Sequence, residues 1–401
     1  VVSGAARPLR VLVLDHSAAL GGGEIALLRL CGALGPDVDV RVLLFADGPL
    51  VGRLADAGVA VEVLPLARSV QGLGRQAAGR ASARRVLDAF QVLRFTVRLA
   101  RRTRALRPDV VHTTSLKADL LGVLPARVAR RPLVWYVHDR IAPDYLPGSL
   151  VRLVRACSRA ADVVLVNSRA TAATLPVPTT VAYPGLPDDL LREEPGDDGA
   201  GRARAADVGP TVTLVGRTSP TKGQRELVRA APEILRRHPG ARFRLVGAPL
   251  FGEEAYAEDV RAEAETLGVA DRVTWVGFVA DPTPELDRAD VVVHASPVAE
   301  PFGQVVLEAM ARGVPVVATR AGGVPEILEP DAGPALGVLV APGDPAALAR
   351  GVLEVLDDPG AAAARAALAR DDVRTRFTAA GTARVVTDAW RRAARGRRPA
   401  P

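Results

Sequence analysis

Lysine is almost missing from this sequence: of 52 Lys and Arg residues only Lys117 and Lys222 are lysines, so each surviving lysine is informative. Cysteine is as scarce. Cys31 and Cys157 show neither metal-ligand spacing nor a disulfide framework, and their helix-like contexts, IALLRLCGAL and LVRACSRA, predict buried small apolar residues. No stretch of eighteen uncharged apolar residues occurs, and VVSGAARPLR runs into a strand-like segment without the apolar run of a secretory signal; the expected location is the cytoplasm. Neither GxGxxG nor GxxxxGK[ST] is present, which argues against an ordinary dinucleotide fingerprint and a Walker phosphate loop. Acids are scarce in one stretch: from Arg68 to Arg107 eleven arginines face a single acid, Asp88.

What is present is a soluble-type composition, 48% apolar and 24% charged over 401 residues, long enough for two domains or more. Short β-branched runs alternate with helical patterns, the mark of parallel strands covered on both faces. The first half offers RVLVLD (10–15), VDVRVLLF (38–45), VAVEVL (59–64), VVHT (110–113), LVWYVH (133–138), DVVLVN (162–167) and TTVAYP (179–184). The pattern stops across 186–210, rich in Pro, Gly and Asp, and restarts with TVTLVG (211–216), RFRLVG (242–247), RVTWVG (272–277), DVVVHAS (290–296), VPVVAT (314–319) and GVLVAP (337–342). The expected organisation is a Rossmann-like domain over 1–185, a linker over 186–210, a second Rossmann-like domain over 211–371, and a terminal helix over 372–401 that crosses back to the first. The fold class is therefore α/β, with two doubly wound domains facing a central cleft. His16, His112, His138 and His294 each stand at or just beyond a strand's C-terminal end, where open α/β sheets bind ligands, whereas His238 reads as a helix-end residue.

Three motifs carry chemistry. In EPFGQVVLEAMARGVPVVATRAGGVPEI (300–327), Gly303 opens the backbone and amides near Phe302, Gly303 and Gln304 precede a helix, a place suited to an anion. Glu308 then sits in the apolar run VVLEAMA, where a carboxylate is costly unless hydrogen-bonded. A ribose diol would satisfy it; half-exposure or pairing with an arginine is the structural alternative. In VGRTSPTKGQREL (215–227), Gly216 ends a strand, and Arg217 and Lys222 flank a polar loop that suits two adjacent phosphates. Gly21-Gly22-Gly23-Glu24 follows the first strand, a weak phosphate-loop signal by itself.

Together these residues resemble the retaining glycosyltransferases of the GT-B fold, glycosyltransferase family four, over nearly the whole chain and most specifically in 211–327. The resemblance implies that Arg217 and Lys222 bind the donor diphosphate, that Glu308 of the E-x7-E pair binds ribose, and that Glu300 contacts donor-sugar hydroxyls. It likens His138 to the family's histidine beside the reacting sugar, Gly22 and Gly23 to a loop covering the phosphates, and Gly277 and Phe278 to the segment whose backbone reads the base. The implied reaction retains configuration: the acceptor attacks from the face the diphosphate leaves, and the departing phosphate oxygen takes the proton. The cations replace a metal, so no metal and no cofactor are expected beyond a nucleotide sugar, UDP-linked by family frequency. Asp188-Asp189 and Asp197-Asp198 lie in or beside the linker and read as solvated.

A nucleotide-sugar epimerase on the same double-Rossmann plan and a non-catalytic sugar-nucleotide-binding subunit are the alternatives. The first has no need of the Arg/Lys and E-x7-E arrangement; the second is set aside because all expected donor residues are present. The arginine stripe has two readings. Val86, Phe90, Leu93, Val97 and Ala100 follow helical spacing, so the helix is expected to cover the first sheet with these residues, with Arg84, Arg94, Arg98 and Arg101 on its other faces. The second reading lays it against an anionic membrane, which would place the protein peripherally at the inner face, or against a phosphorylated acceptor. Nucleic acid is disfavoured, because no binding motif accompanies the charge.

Overall fold

A computed structural model describes residues 7–67, 82–191, 209–250 and 252–396, without the side chains of 82–87. Most of the expected linker, including Asp197-Asp198, and the first part of the arginine stripe lie outside these residues. The chain divides into two compact units, Val1–Pro187 with Ala379–Pro401, and Asp188–Thr378. Each is described by itself.

The first unit is built on β1 (Leu9–Asp15), β2 (Val38–Leu44), β3 (Ala60–Val63), β4 (Val110–Thr113), β5 (Leu133–Val137), β6 (Val163–Val166) and β7 (Thr180–Val181). They form a parallel sheet in the order β3-β2-β1-β4-β5-β6-β7. Every residue of β4 and β5 is buried, His112 and Thr113 included, so neither strand has the solvent-facing side that gives an alternating pattern. Helices Ser82–Leu106, Leu116–Ala129 and Gly148–Ser158 cover one face, around a core that includes Phe95, Leu99, Ala126, Val151 and Val154. Helices Gly22–Gly32, Pro49–Asp56 and Ala379–Gly396 cover the other, around Leu27, Leu50, Val386 and Trp390.

The second unit is built on β8 (Thr211–Val215), β9 (Arg242–Val246), β10 (Val273–Gly277), β11 (Val291–His294), β12 (Val316–Thr319) and β13 (Val338–Val340). Its sheet is also parallel, in the order β10-β9-β8-β11-β12-β13. All thirteen expected strands are present, and the two doubly wound α/β units stand as the sequence implies.

Four local expectations are corrected. The helix Ser82–Leu106 buries Ala100 as expected but otherwise turns a different stripe inward: Phe95, Thr96, Leu99 and Thr103 are buried, while Phe90, Leu93 and Val97 are 58%, 59% and 41% exposed, and the side chain of Val86 lies outside the described residues. Two apolar stripes compete on this helix. Phe95 decides between them by packing edge-on against Phe45 at 4.8 Å, and Thr96 conceals its hydroxyl by donating to the Val92 carbonyl at 2.8 Å. The terminal helix starts at Ala379 rather than near Asp372. Asp372 belongs to the preceding helix Pro359–Arg376, where it pairs with Arg376, whose guanidinium also donates to the carbonyls of Glu326 and Ile327. Gly22 and Gly23 are the first turn of a helix capped by Gly21, not a free loop. Cys31 and Cys157 are half-buried at the edges of the two cores, not enclosed.

Candidate functional site

In the second unit the chain order reverses between neighbouring strands β8 and β11; Gly216, Arg217 and Lys222 follow the first of these strands, Glu300, Phe302, Gly303, Gln304 and Glu308 the second. Such a switch point leaves a crevice, because the connections depart to opposite faces of the sheet. The segment after β8 is shaped by its own side chains. Buried Gln224 folds back to donate to the Arg217 carbonyl at 3.0 Å, and Ser296 Oγ, beyond β11, donates to the Thr221 carbonyl at 2.6 Å. Gly223, with φ of 86°, lets the turn into helix Gln224–Arg237 pass close to β11; an added Cβ would stand 2.1 Å from the Ala295 carbonyl oxygen.

This arrangement brings Lys222 and Glu300 together, with Lys222 Nζ donating to Glu300 Oε1 at 2.5 Å. His294, the last residue of β11, brings Nε2 within 3.3 Å of the other carboxylate oxygen. Burial alone would raise the Glu300 carboxyl's pKa, but Lys222 and then His294 outweigh it and hold the group below the usual carboxylate range. It is therefore an ionised acceptor at neutral pH. Its backbone is fixed too: the Glu300 carbonyl accepts from Gly323 N at 2.9 Å, and Gly322, at φ of 66°, sits where an added Cβ would fall 1.8 Å from that oxygen. The glycines of the second loop thus serve to seat Glu300.

Arg217 lies on the same edge and donates from Nη1 to Glu253 Oε2 at 2.7 Å. Gly216 approaches Gly247, whose own amide donates to Gly277 O at 2.8 Å, so three strand ends in a row meet through glycines, with the Lys222 side chain beside the first. Phe278 follows and is 60% exposed. The helix Gln304–Ala311 begins at Gly303, with φ of 122°. The Phe302 ring is buried 6.1 Å from that of Phe377, so this residue offers its backbone, not its side chain. Glu308 is half-buried in the helix's second turn.

Gly22, Gly23 and His138 belong to the other unit. There Asp15, at the end of β1, is buried and accepts from Thr114 Oγ1 at 2.7 Å and from Ser17 N at 3.1 Å. His138 follows β5 with its ring 4.1 Å from that of Tyr136, and burial, only partly offset by Asp15, lowers its pKa to about 4. His112 is fully buried within β4 beside Trp390, and burial followed by His138 brings its pKa to about 3. Both rings are neutral at pH 7.

Sequence reasoning did not assign a role to His294 or Glu253. His294 carried a signal, a histidine ending a β-branched strand; Glu253 carried none, since its pairing with Arg217 depends on how the segment before helix Glu254–Thr266 folds back. Among the described residues no group of three or more His, Cys, Asp and Glu converges to hold a metal ion.

The family model described as "Glycosyl transferases group 1" matches residues 209–358, and that described as "Glycosyl transferase 4-like domain" matches residues 21–177. The chain is 30% identical over 352 residues to the D-inositol 3-phosphate glycosyltransferase of Corynebacterium efficiens, covering 80% of this chain and 78% of that one. It is 31% identical over 314 residues to the glycogen synthase of Mycobacterium tuberculosis, covering 74% and 72%. The crystal structure of Anabaena Alr3699/HepE in complex with UDP-glucose superposes with a TM-score of 0.80 at 28% identity, over 95% of this chain and 99% of that one.

Proposed function

This chain belongs to the group 1 glycosyltransferases, glycosyltransferase family four, and from that membership we propose that it is a retaining enzyme transferring sugar from a UDP-linked donor to a hydroxyl acceptor. The acceptor is a glycan, a lipid-linked saccharide or a secondary metabolite, and the reaction is cytoplasmic. The observation that carries this reading is the crevice at the β8/β11 switch point, where Lys222 and Arg217 each stand paired with a carboxylate, Glu300 and Glu253. Lys222 and Arg217 lie on the edge where a diphosphate would sit, and ionised Glu300 beside Lys222 is suited to accept hydrogen bonds from sugar hydroxyls.

In this reading Arg217 grips the phosphate oxygens with its fork and Lys222 supplies a point charge, both neutralising the charge that develops as the bond from the anomeric carbon to phosphate breaks. The amides at Phe302, Gly303 and Gln304 add to that stabilisation at a helix N-terminus. Glu308 accepts from the ribose hydroxyls, and the backbone at Gly277 and Phe278 reads the base beside Gly216. The acceptor oxygen bonds to the anomeric carbon on the face the diphosphate leaves, and its proton passes to the departing phosphate oxygen. No general-base carboxylate and no metal enter this scheme. Gly22 and Gly23 offer helix-start amides to the phosphates. Neutral His138 serves the reacting sugar.

Support for uridine comes from the Anabaena neighbour, whose structure holds UDP-glucose. A thermal-shift panel of UDP-, GDP-, ADP- and dTDP-sugars tests the choice, because a ligand that binds the folded state raises its melting temperature by mass action. The UDP-sugar is expected to give the largest shift, and a larger shift with GDP-sugar overturns the base assignment. Incubation with donor alone separates the epimerase alternative, since an epimerase converts it without acceptor. Transfer that persists with excess chelator supports the metal-free scheme.

A further inference from the structure

The stripe that Ser82–Leu106 turns away from its core is part of a larger face. Exposed Phe90, Leu93 and Val97 on this helix are joined by Leu124 and Val128 on Leu116–Ala129 and by Leu153 on Gly148–Ser158. The three helices cover the same face of the first sheet, and six of the ten large apolar side chains found exposed among the described residues lie on them. Single exposed leucines need no explanation, but a concentration on one layer does.

The charge on this layer has one sign. Arg94, Arg98, Arg101, Arg127, Arg152 and Arg159 are exposed among the apolar side chains. The three helices contain two acids, Asp88 and Asp119, and both are buried. Where helices Ser82–Leu106 and Leu116–Ala129 end, a cavity of about 370 Å³ is lined by Arg104, Arg107, Val128, Ala129, Arg130 and Arg131, without a carboxylate. Arg107 and Arg130 take φ of 49° and 55°, the only positive values at non-glycine residues in the described chain. Helix ends that need this conformation usually use glycine, which adopts it without the cost of a Cβ; here arginine fills both positions and lines the cavity.

We propose that this three-helix layer docks on an anionic lipid surface, with the apolar side chains entering the boundary between headgroups and acyl chains and the arginines engaging lipid phosphates. Apolar side chains interleaved with cations, and no exposed acid on these helices, match the chemistry of a negatively charged bilayer interface. A second copy of the same face would bring arginine against arginine, so charge complementarity selects the membrane over self-association. The inference does not depend on the donor chemistry, and its test needs no turnover.

The experiment is co-sedimentation of the full chain with vesicles of phosphatidylcholine alone and of phosphatidylcholine with 30 mol% phosphatidylglycerol, at low and raised salt. Wild type is compared with Arg94→Glu/Arg98→Glu/Arg101→Glu and with Phe90→Ser/Leu93→Ser, whose exposed positions leave the cores intact; circular dichroism and melting temperature confirm folding. Binding is expected only to the anionic vesicles. At about 1 kcal/mol per cation near such a surface, losing three arginines weakens binding by roughly a hundredfold, and the three added carboxylates weaken it further. The apolar pair is expected to remove the binding that survives raised salt. Absence of binding to anionic vesicles at low salt overturns the proposal, as does binding unchanged in both variants. A wild-type dimer in sedimentation velocity that becomes monomeric in Phe90→Ser/Leu93→Ser also overturns it, in favour of self-association.

Discussion

At the residue scale, Lys222 and Glu300 depend on each other. Lys222 stabilises an ionised carboxylate in a mostly buried place, and Glu300 fixes where the ammonium stands. Charge-assisted hydrogen bonds contribute about 1.5–3 kcal/mol, so Lys222→Ala is expected to weaken UDP binding by roughly 10- to 100-fold while changing uridine affinity little. Calorimetric titration of both ligands checks this, and equal losses for the two would count against a phosphate role. His138 supplies a second prediction. Burial lowers its pKa to about 4, so the folded protein resists a proton that the unfolded chain accepts near pH 6.5. The favourable contribution of the neutral ring is complete above pH 6.5 and is lost as pH falls from there to about 4. Over that window the slope is up to about 1.4 kcal/mol per pH unit, and denaturant titrations of His138→Asn should be shallower by that amount. An unchanged slope would contradict the burial argument. Lys222 was conspicuous in the sequence because arginine replaces lysine almost everywhere else. His294 became meaningful only when folding set it beside Glu300.

At the element scale, the site depends on turns that admit only glycine. Gly322→Ala would force a Cβ into the Glu300 carbonyl at 1.8 Å in a conformation that L side chains rarely adopt. The turn must shift, and an alanine where φ is positive costs about 1 kcal/mol or more before the collision is counted. Loss of donor affinity with a lowered melting temperature is expected, whereas Gly23→Ala, with open space around it, should leave stability nearly unchanged. Comparison of the two melting curves checks the contrast, and equal behaviour would contradict it. The strands were legible because a parallel sheet covered on both faces favours short runs rich in β-branched and aromatic residues, as in VVHT and LVWYV. The orientation of Ser82–Leu106 was not. Its sequence carries two apolar stripes, and the Phe45–Phe95 contact that chooses between them joins residues fifty positions apart. The end of helix Pro359–Arg376 was hidden for a similar reason, since the carbonyls that hold Arg376 lie on another helix.

At the scale of the whole molecule, the two sheets repeat one construction, with the chain order reversing between β1 and β4 in the first unit and between β8 and β11 in the second. Each reversal gathers polar groups at strand ends: Asp15, Thr114 and Ser115 in one, Arg217, Lys222 and Glu300 in the other. In the proposed chemistry the second set meets a leaving group with two negative phosphates, and the proton acceptor is on the donor itself. That arrangement fixes the stereochemical outcome, because an acceptor whose proton goes to the leaving oxygen must approach from the leaving group's own face. Proton NMR of the first-formed product from an α-linked gluco-configured UDP-sugar, in the presence of chelator, tests this most directly. The account predicts an α-linked product, read from a small coupling between the anomeric and neighbouring protons; the large coupling of a β-linked product would contradict it.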